Sequence, residues 1–77
     1  MKLAIFLADD FEEVEGLTAV DLLRRAKVDI AMVSIGDDKL IKGSHGIRLY
    51  ADIMLSELDF DSLDGIVLPG GMPGASN

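Results

Sequence analysis

The chain has 77 residues, 49 % of them apolar, and carries 14 acidic against 7 basic side chains for a net charge of −7. That length allows one small domain, the apolar share calls for a packed core rather than disorder, and the negative charge argues against nucleic acid and anionic membrane surfaces as partners. With no cysteine these residues hold no disulfide, thiolate metal site or sulfur nucleophile, and with neither a secretory signal nor a run of roughly 18 apolar residues a cytoplasmic protein is expected.

Residues 2–8, KLAIFLA, form an apolar run of strand length, as in a strand covered on both faces. Asp10, with Glu13 three residues later, reads as an N-cap with its acidic partner and predicts a helix from about Phe11 to Ala26, with Arg24, Arg25 and Lys27 at the end that favours positive charge. Residues 28–36, VDIAMVSIG, read as a second buried strand, so the first elements make a βαβ unit and favour a parallel sheet. The segment 39–50, KLIKGSHGIRLY, departs from that pattern: two short runs flank Gly43-Ser44-His45-Gly46, a hairpin signal. A weak helical turn follows around Ser56 to Leu58, and GIVLPG at 65–70 reads as a third parallel strand. The fold class is α/β, half of a doubly wound sheet, with one face and one edge strand open to water.

On a helical wheel, Leu22, Ala26, Ala19, Leu23, Gly16 and Val20 fill one arc, the face expected to pack on the sheet. Glu15 falls inside that arc, one turn into the helix, where partial desolvation would favour the protonated carboxyl. Gly16 beside it lets another backbone approach, and together the two suggest a pocket wall. The plainer alternative is an acidic side chain that curls out to solvent. Glu12 also falls in the arc but is accounted for by capping. The opposite side carries Glu13, Thr18, Asp21, Arg24 and Arg25 around Val14 and Leu17, a small contact patch that could pair across a twofold axis.

Pro69-Gly70-Gly71 follows the third strand at its carboxyl end, where open α/β sheets collect their ligands. Glycines there let backbone N–H groups point outward as donors to an anion or an oxyanion, although a plain tight turn explains the pair as well. His45 sits in a hairpin turn and reads as a solvent-exposed loop residue. Met32, Met54 and Met72 lack a ligand spacing and read as fillers. No cofactor or metal is expected.

In combination, FEEVEGLTAVDLLRRA (residues 11–26), the hairpin with Ala51-Asp52, and VLPGGMPGASN (residues 67–77) resemble the amino-terminal part of the ThiJ/PfpI family of the class I glutamine amidotransferase-like superfamily. The resemblance runs the length of the chain in order. It implies the amino-terminal half of a flavodoxin-like three-layer sandwich, commonly dimeric, with a nucleophilic cysteine on a strained strand-to-helix turn. It further implies that Glu15 hydrogen-bonds that cysteine's sulfur, that the Gly70-Gly71 loop with the backbone N–H of Gly71 helps form the oxyanion site, and that Val14, Leu17, Arg24 and Arg25 lie on the helix used in the dimer contact. Two departures stand out. Lys27 occupies the position after R-R-A where the family usually has glycine, suited to a left-handed helix stop. The cysteine and the histidine that often accompanies it would lie beyond Asn77, so a companion polypeptide carrying the rest of the domain is expected as partner.

Three functions compete at this level. The first is the amino-terminal fragment of a cysteine enzyme, in which a thiolate adds to a small carbonyl or acyl substrate with glyoxalase, deglycase or hydrolase outcomes, and the complete unit is a homodimer. The second is a non-catalytic redox-sensing or chaperone-like stress protein of the same fold, whose signal is cysteine oxidised to a sulfinate and held by Glu15. The third is a free-standing anion-binding half-domain built on Gly70 and Gly71.

Overall fold

A computed structural model describes residues 1–69. The chain follows the order β1 (Lys2–Leu7), α1 (Glu13–Arg25), β2 (Asp29–Ser34), β3 (Leu40–Lys42), β4 (Arg48–Tyr50), β5 (Ile53–Met54), two single-turn 3-10 helices (Leu55–Glu57 and Phe60–Ser62) and β6 (Gly65–Val67). Strands β5, β2, β1 and β6 lie side by side in that order and every pairing among them is parallel. Strand β1 therefore has a hydrogen-bonded neighbour on each edge, and its apolar sequence reflects side chains packed on both faces of the sheet, Ile5 and Leu7 on one and Ala4 and Phe6 on the other. It runs in register with β2 from Lys2 opposite Asp29 to Leu7 opposite Ser34.

Alternation along β1 sends Ile5 and Leu7 into the core, where they join Phe11, Val20, Ile30, Ile41 and Ala51. Ile41 and Ala51 belong to the antiparallel β3–β4 hairpin and the residue after it, so the hairpin closes one side of the core. Phe6 points to the other face of the sheet, where its ring meets Phe60 edge-on at 6.2 Å between centroids. Ile66, on β6, remains 49 % exposed, so apolar surface stays open as expected from sequence. Among the described residues, no helix is long and apolar enough to cross a membrane.

Four local readings change. The helix starts at Glu13 and is capped by Glu12, whose carboxylate accepts the Val14 N–H at 3.1 Å. Asp10 cannot cap because its backbone turns into the left-handed region (φ 72°), and its N–H is directed instead at the Lys42 carbonyl of the hairpin, 2.8 Å away. The buried face of α1 comprises Glu13, Gly16 and Val20, a rotation of roughly 70° from the face expected at 100° per residue; Leu22 is 60 % exposed. The helical turn near residue 56 is a 3-10 turn preceded by β5, a parallel strand too short to leave a periodic signal.

The left-handed stop survives with lysine in place of glycine. Lys27 has φ 66°, its N–H donates to the Arg24 carbonyl at 3.1 Å, and the Val28 N–H donates to the Leu23 carbonyl at 2.9 Å. Those two bonds are the Schellman pattern that satisfies the last carbonyls of a helix.

Candidate functional site

The loop from β1 into α1 and the start of α1 meet two other parts of the chain. The first is the end of β6. A methyl group placed on Gly16 would lie 3.0 Å from the Phe11 ring, tighter than an ordinary contact, and 3.6 Å from the side chain of Pro69, an ordinary one, so the absence of a side chain at Gly16 makes room for the Phe11 ring while Pro69 lies alongside. The neighbours at this glycine are side chains rather than the backbone expected from sequence. Glu15, one residue earlier, is exposed, and the partial desolvation expected for it falls on Glu13 instead. Gly70 and Gly71, the expected oxyanion loop, lie outside the described residues, as does Met72.

The second meeting is with the hairpin turn, and sequence reasoning missed it. Glu13 is only 2 % exposed, although the wheel set it on the charged side of the helix. Its carboxylate accepts the His45 backbone N–H at 2.8 Å, the Ile47 N–H at 3.2 Å, the Ser44 hydroxyl at 3.2 Å and the imidazole Nδ1 of His45 at 2.8 Å. An ionised carboxylate only accepts hydrogen bonds, so the proton must sit on Nδ1. Burial by itself would raise the Glu13 pKa, but the bond from the His45 side chain and the backbone N–H groups of Glu13, Ile47 and His45 outweigh it and hold the carboxyl at about 2. His45 moves the other way: its bond to Glu13, then the negative charges of Glu12 and Glu13, raise its pKa above the ordinary histidine value.

The turn is shaped for this carboxylate. A side chain on Gly43 would collide with the Glu13 side chain, and Gly46 takes φ 81°, a conformation that favours glycine. The Ser44 N–H also donates to the Phe11 carbonyl at 2.9 Å, and the Lys42 N–H to the Asp9 carboxylate at 3.0 Å. His45 is therefore a partner of the helix and not a bare loop residue. The available signal was the row Glu13, Gly16 and Val20, at i, i+3 and i+7, together with the small, donor-rich Gly-Ser-His-Gly turn. Glu12, Glu13 and His45 bring three ligand-type atoms within 4.8 Å of one another. The oxygens of Glu13 already take the donors of the turn, which makes the cluster a hydrogen-bond clasp rather than an open coordination site.

Of the expected dimer residues, Val14 is 70 % exposed and Leu17 is half-buried. Arg24 is used within the chain: one guanidinium nitrogen donates to the Ile30 carbonyl at 3.0 Å and to Asp52 at 2.9 Å. Arg25 pairs with Asp21, one turn back on the helix. Met32 and Met54 are half-buried, in keeping with filler roles. A cavity of about 230 Å³ opens beyond the carboxyl ends of β1 and β2 between Ala8, Asp9, Ser34 and Asp38. It lies on the β2 side of β1, away from Gly16 and Pro69.

The sequence matches the DJ-1/PfpI family over residues 1–77. It is 38 % identical over 74 residues to Protein DJ-1 homolog A of Arabidopsis thaliana, covering 96 % of this chain and 19 % of that protein. It is 34 % identical over 71 residues to a deglycase of Thermococcus kodakarensis, covering 92 % of this chain and 42 % of the relative. Among solved structures, oxidized DJ-1 of Toxoplasma gondii superposes with a TM-score of 0.88 at 35 % identity, over 94 % of this chain and 39 % of that one. The chain thus spans well under half the length of these relatives.

Proposed function

The chain belongs to the DJ-1/PfpI family, and we propose that it contributes the helix-and-loop side of a cysteine-dependent site acting on small carbonyl or acyl compounds. The observation that supports this reading is the nearness of Pro69, just past β6, to Gly16, the residue that follows Glu15 in the first turn of α1. The deglycase name of the Thermococcus relative supports the substrate class. These 77 residues hold no cysteine, so the thiolate of this site is supplied by polypeptide outside them. Its sulfur attacks the carbonyl carbon, a C–S bond forms, and the π electrons move onto the oxygen. Glu15 orients the sulfur through a hydrogen bond, and the N–H of Gly71 stabilises the developing oxyanion. The complete unit is a homodimer whose contact includes Val14 and Leu17; the exposure of Val14 supports that placement.

The test begins with an intact mass spectrum of the purified protein under denaturing conditions, which shows every polypeptide it contains. Turnover of a 2-oxoaldehyde and the pH dependence of cysteine alkylation are then compared for the complete protein and for Glu15→Gln. The expected result is turnover that falls in the variant together with a displaced alkylation profile. No turnover and an unchanged alkylation profile would overturn the reading. Loss of stability of the oxidised form in Glu15→Gln, with no turnover by either protein, would instead support a redox-sensing role.

A further inference from the structure

The proposed reaction leaves Glu13 and His45 without a role, yet they form the most heavily bonded polar cluster among the described residues. Four donors from residues 44–47 converge on one buried carboxylate, and its helix neighbour Glu12 lies 3.8 Å from the same imidazole. The His45 side chain is itself 63 % exposed. With Nδ1 committed to Glu13, protons exchange with solvent at Nε2, so the ring can gain or lose charge without leaving its place.

We propose that the Gly43–Ile47 turn is a proton-responsive clasp: His45, when doubly protonated, locks the β3–β4 hairpin onto the start of α1 through Glu13, and loss of the Nε2 proton loosens the turn from the helix. The neutral ring still donates from Nδ1, so the contact is weakened rather than abolished; what disappears is the positive charge that compensates a buried carboxylate. Among the described residues, the charged groups within ion-pair reach of the imidazole are Glu13, in the first turn of α1, and Glu12, its cap. From the β1–α1 loop, Asp9 is engaged by the Lys42 N–H and Asp10 donates its own N–H to the Lys42 carbonyl. Lys42 and Arg48 stand on the strands of the hairpin itself. The clasp reaches further than one contact because the Ser44 N–H holds the Phe11 carbonyl and the Phe11 ring lies against Gly16. Loosening the turn therefore releases the loop that sets the entry of α1. This proposal does not depend on the catalytic reading.

The experiment is NMR on the isotope-labelled complete protein from pH 5 to pH 9. It follows the His45 ring nitrogens and the hydrogen-exchange protection of the His45 and Ile47 amides, in the wild type and in His45→Gln, whose side chain can donate but not titrate. The expected result is a His45 midpoint above that of an unstructured histidine and amide protection that falls through the same midpoint. The loss should be about tenfold for each pH unit separating the folded from the unfolded midpoint. In His45→Gln the protection should not change with pH. A His45 midpoint at the ordinary value, or protection that stays level while His45 titrates, would overturn the clasp. Because the wild-type titration decides the question by itself, it holds even if His45→Gln fails to fold.

Discussion

Glu13 and His45 stand 32 residues apart in the chain, and their side chains meet at 2.8 Å, imidazole Nδ1 to carboxylate oxygen. The buried partner comes from the first turn of the helix and the exposed one from a hairpin turn. One pair thus joins the βαβ unit to the antiparallel excursion that follows it.

This pair sets the pH dependence of stability. The folded-state pKa of Glu13 is depressed to about 2 from 4.5, so its contribution is fully present above the unfolded value and is lost as pH falls toward 2. That of His45 is raised above 6.5, so its contribution is fully present below 6.5 and is lost as pH rises through the raised midpoint. The pair's stabilisation is therefore greatest between pH 4.5 and 6.5. Thermal unfolding across pH 3 to 9 should show His45→Gln lowering Tm most in that interval and converging on the wild type at alkaline pH. Parallel curves would contradict this assignment.

Gly43 is required by the space that Glu13 occupies. Gly43→Ala forces a collision with the Glu13 side chain and should destabilise by about 1–3 kcal/mol, the usual range for overpacking. Removing the obstacle should soften the effect, so in denaturant titrations Glu13→Ala with Gly43→Ala should lose less than the sum of the two single variants. Simple additivity would mean that Gly43 is required for its backbone alone.

Lys27 holds a left-handed position that costs an L-residue energy. Lys27→Gly relieves that strain but gains unfolded-state entropy, and the net effect should be a stabilisation of about 0.5–1 kcal/mol, read from the denaturation midpoint at constant m-value. An unchanged or lower midpoint would show that the lysine side chain recovers the cost through contacts of its own.

Val14 and Arg24 separate the proposed partner contact from internal support. Val14→Glu changes an exposed position and should leave folding stability within about 0.5 kcal/mol, while weakening self-association in sedimentation if the dimer contact lies there. Arg24→Ala should do the reverse. Its partner Asp52 also accepts the Met32 N–H at 2.8 Å, so the variant should cost about 0.5–1 kcal/mol, with the half-exposed ion pair contributing little, and leave the oligomeric state unchanged. Loss of association in Arg24→Ala alone would move the dimer contact to the arginine.

The strands, the helix and the hairpin were legible because each is encoded within its own few residues. An apolar run marks a strand covered on both faces, and Gly-Ser-His-Gly marks a turn. The left-handed stop at Lys27 was legible only through the family's usual glycine, since nothing in lysine itself predicts a positive φ. Strand β5 was missed because two residues carry no period. The wheel was centred on Leu22 and Ala26 because hydrophobicity alone decides such a count. In the folded chain, burial at the start of α1 depends on what arrives from elsewhere, and a hairpin with four donors makes a carboxylate the better residue to bury.

By itself, then, the sequence determined the α/β class, the order of the longer elements and the family, because these follow from local periodicity and from motifs contiguous in the chain. Which of two glutamates, Glu13 or Glu15, would be buried was decided only by tertiary structure. A buried carboxylate must be satisfied by donors, and those at Ser44, His45 and Ile47 reach Glu13 only once the β3–β4 hairpin has folded back onto the helix.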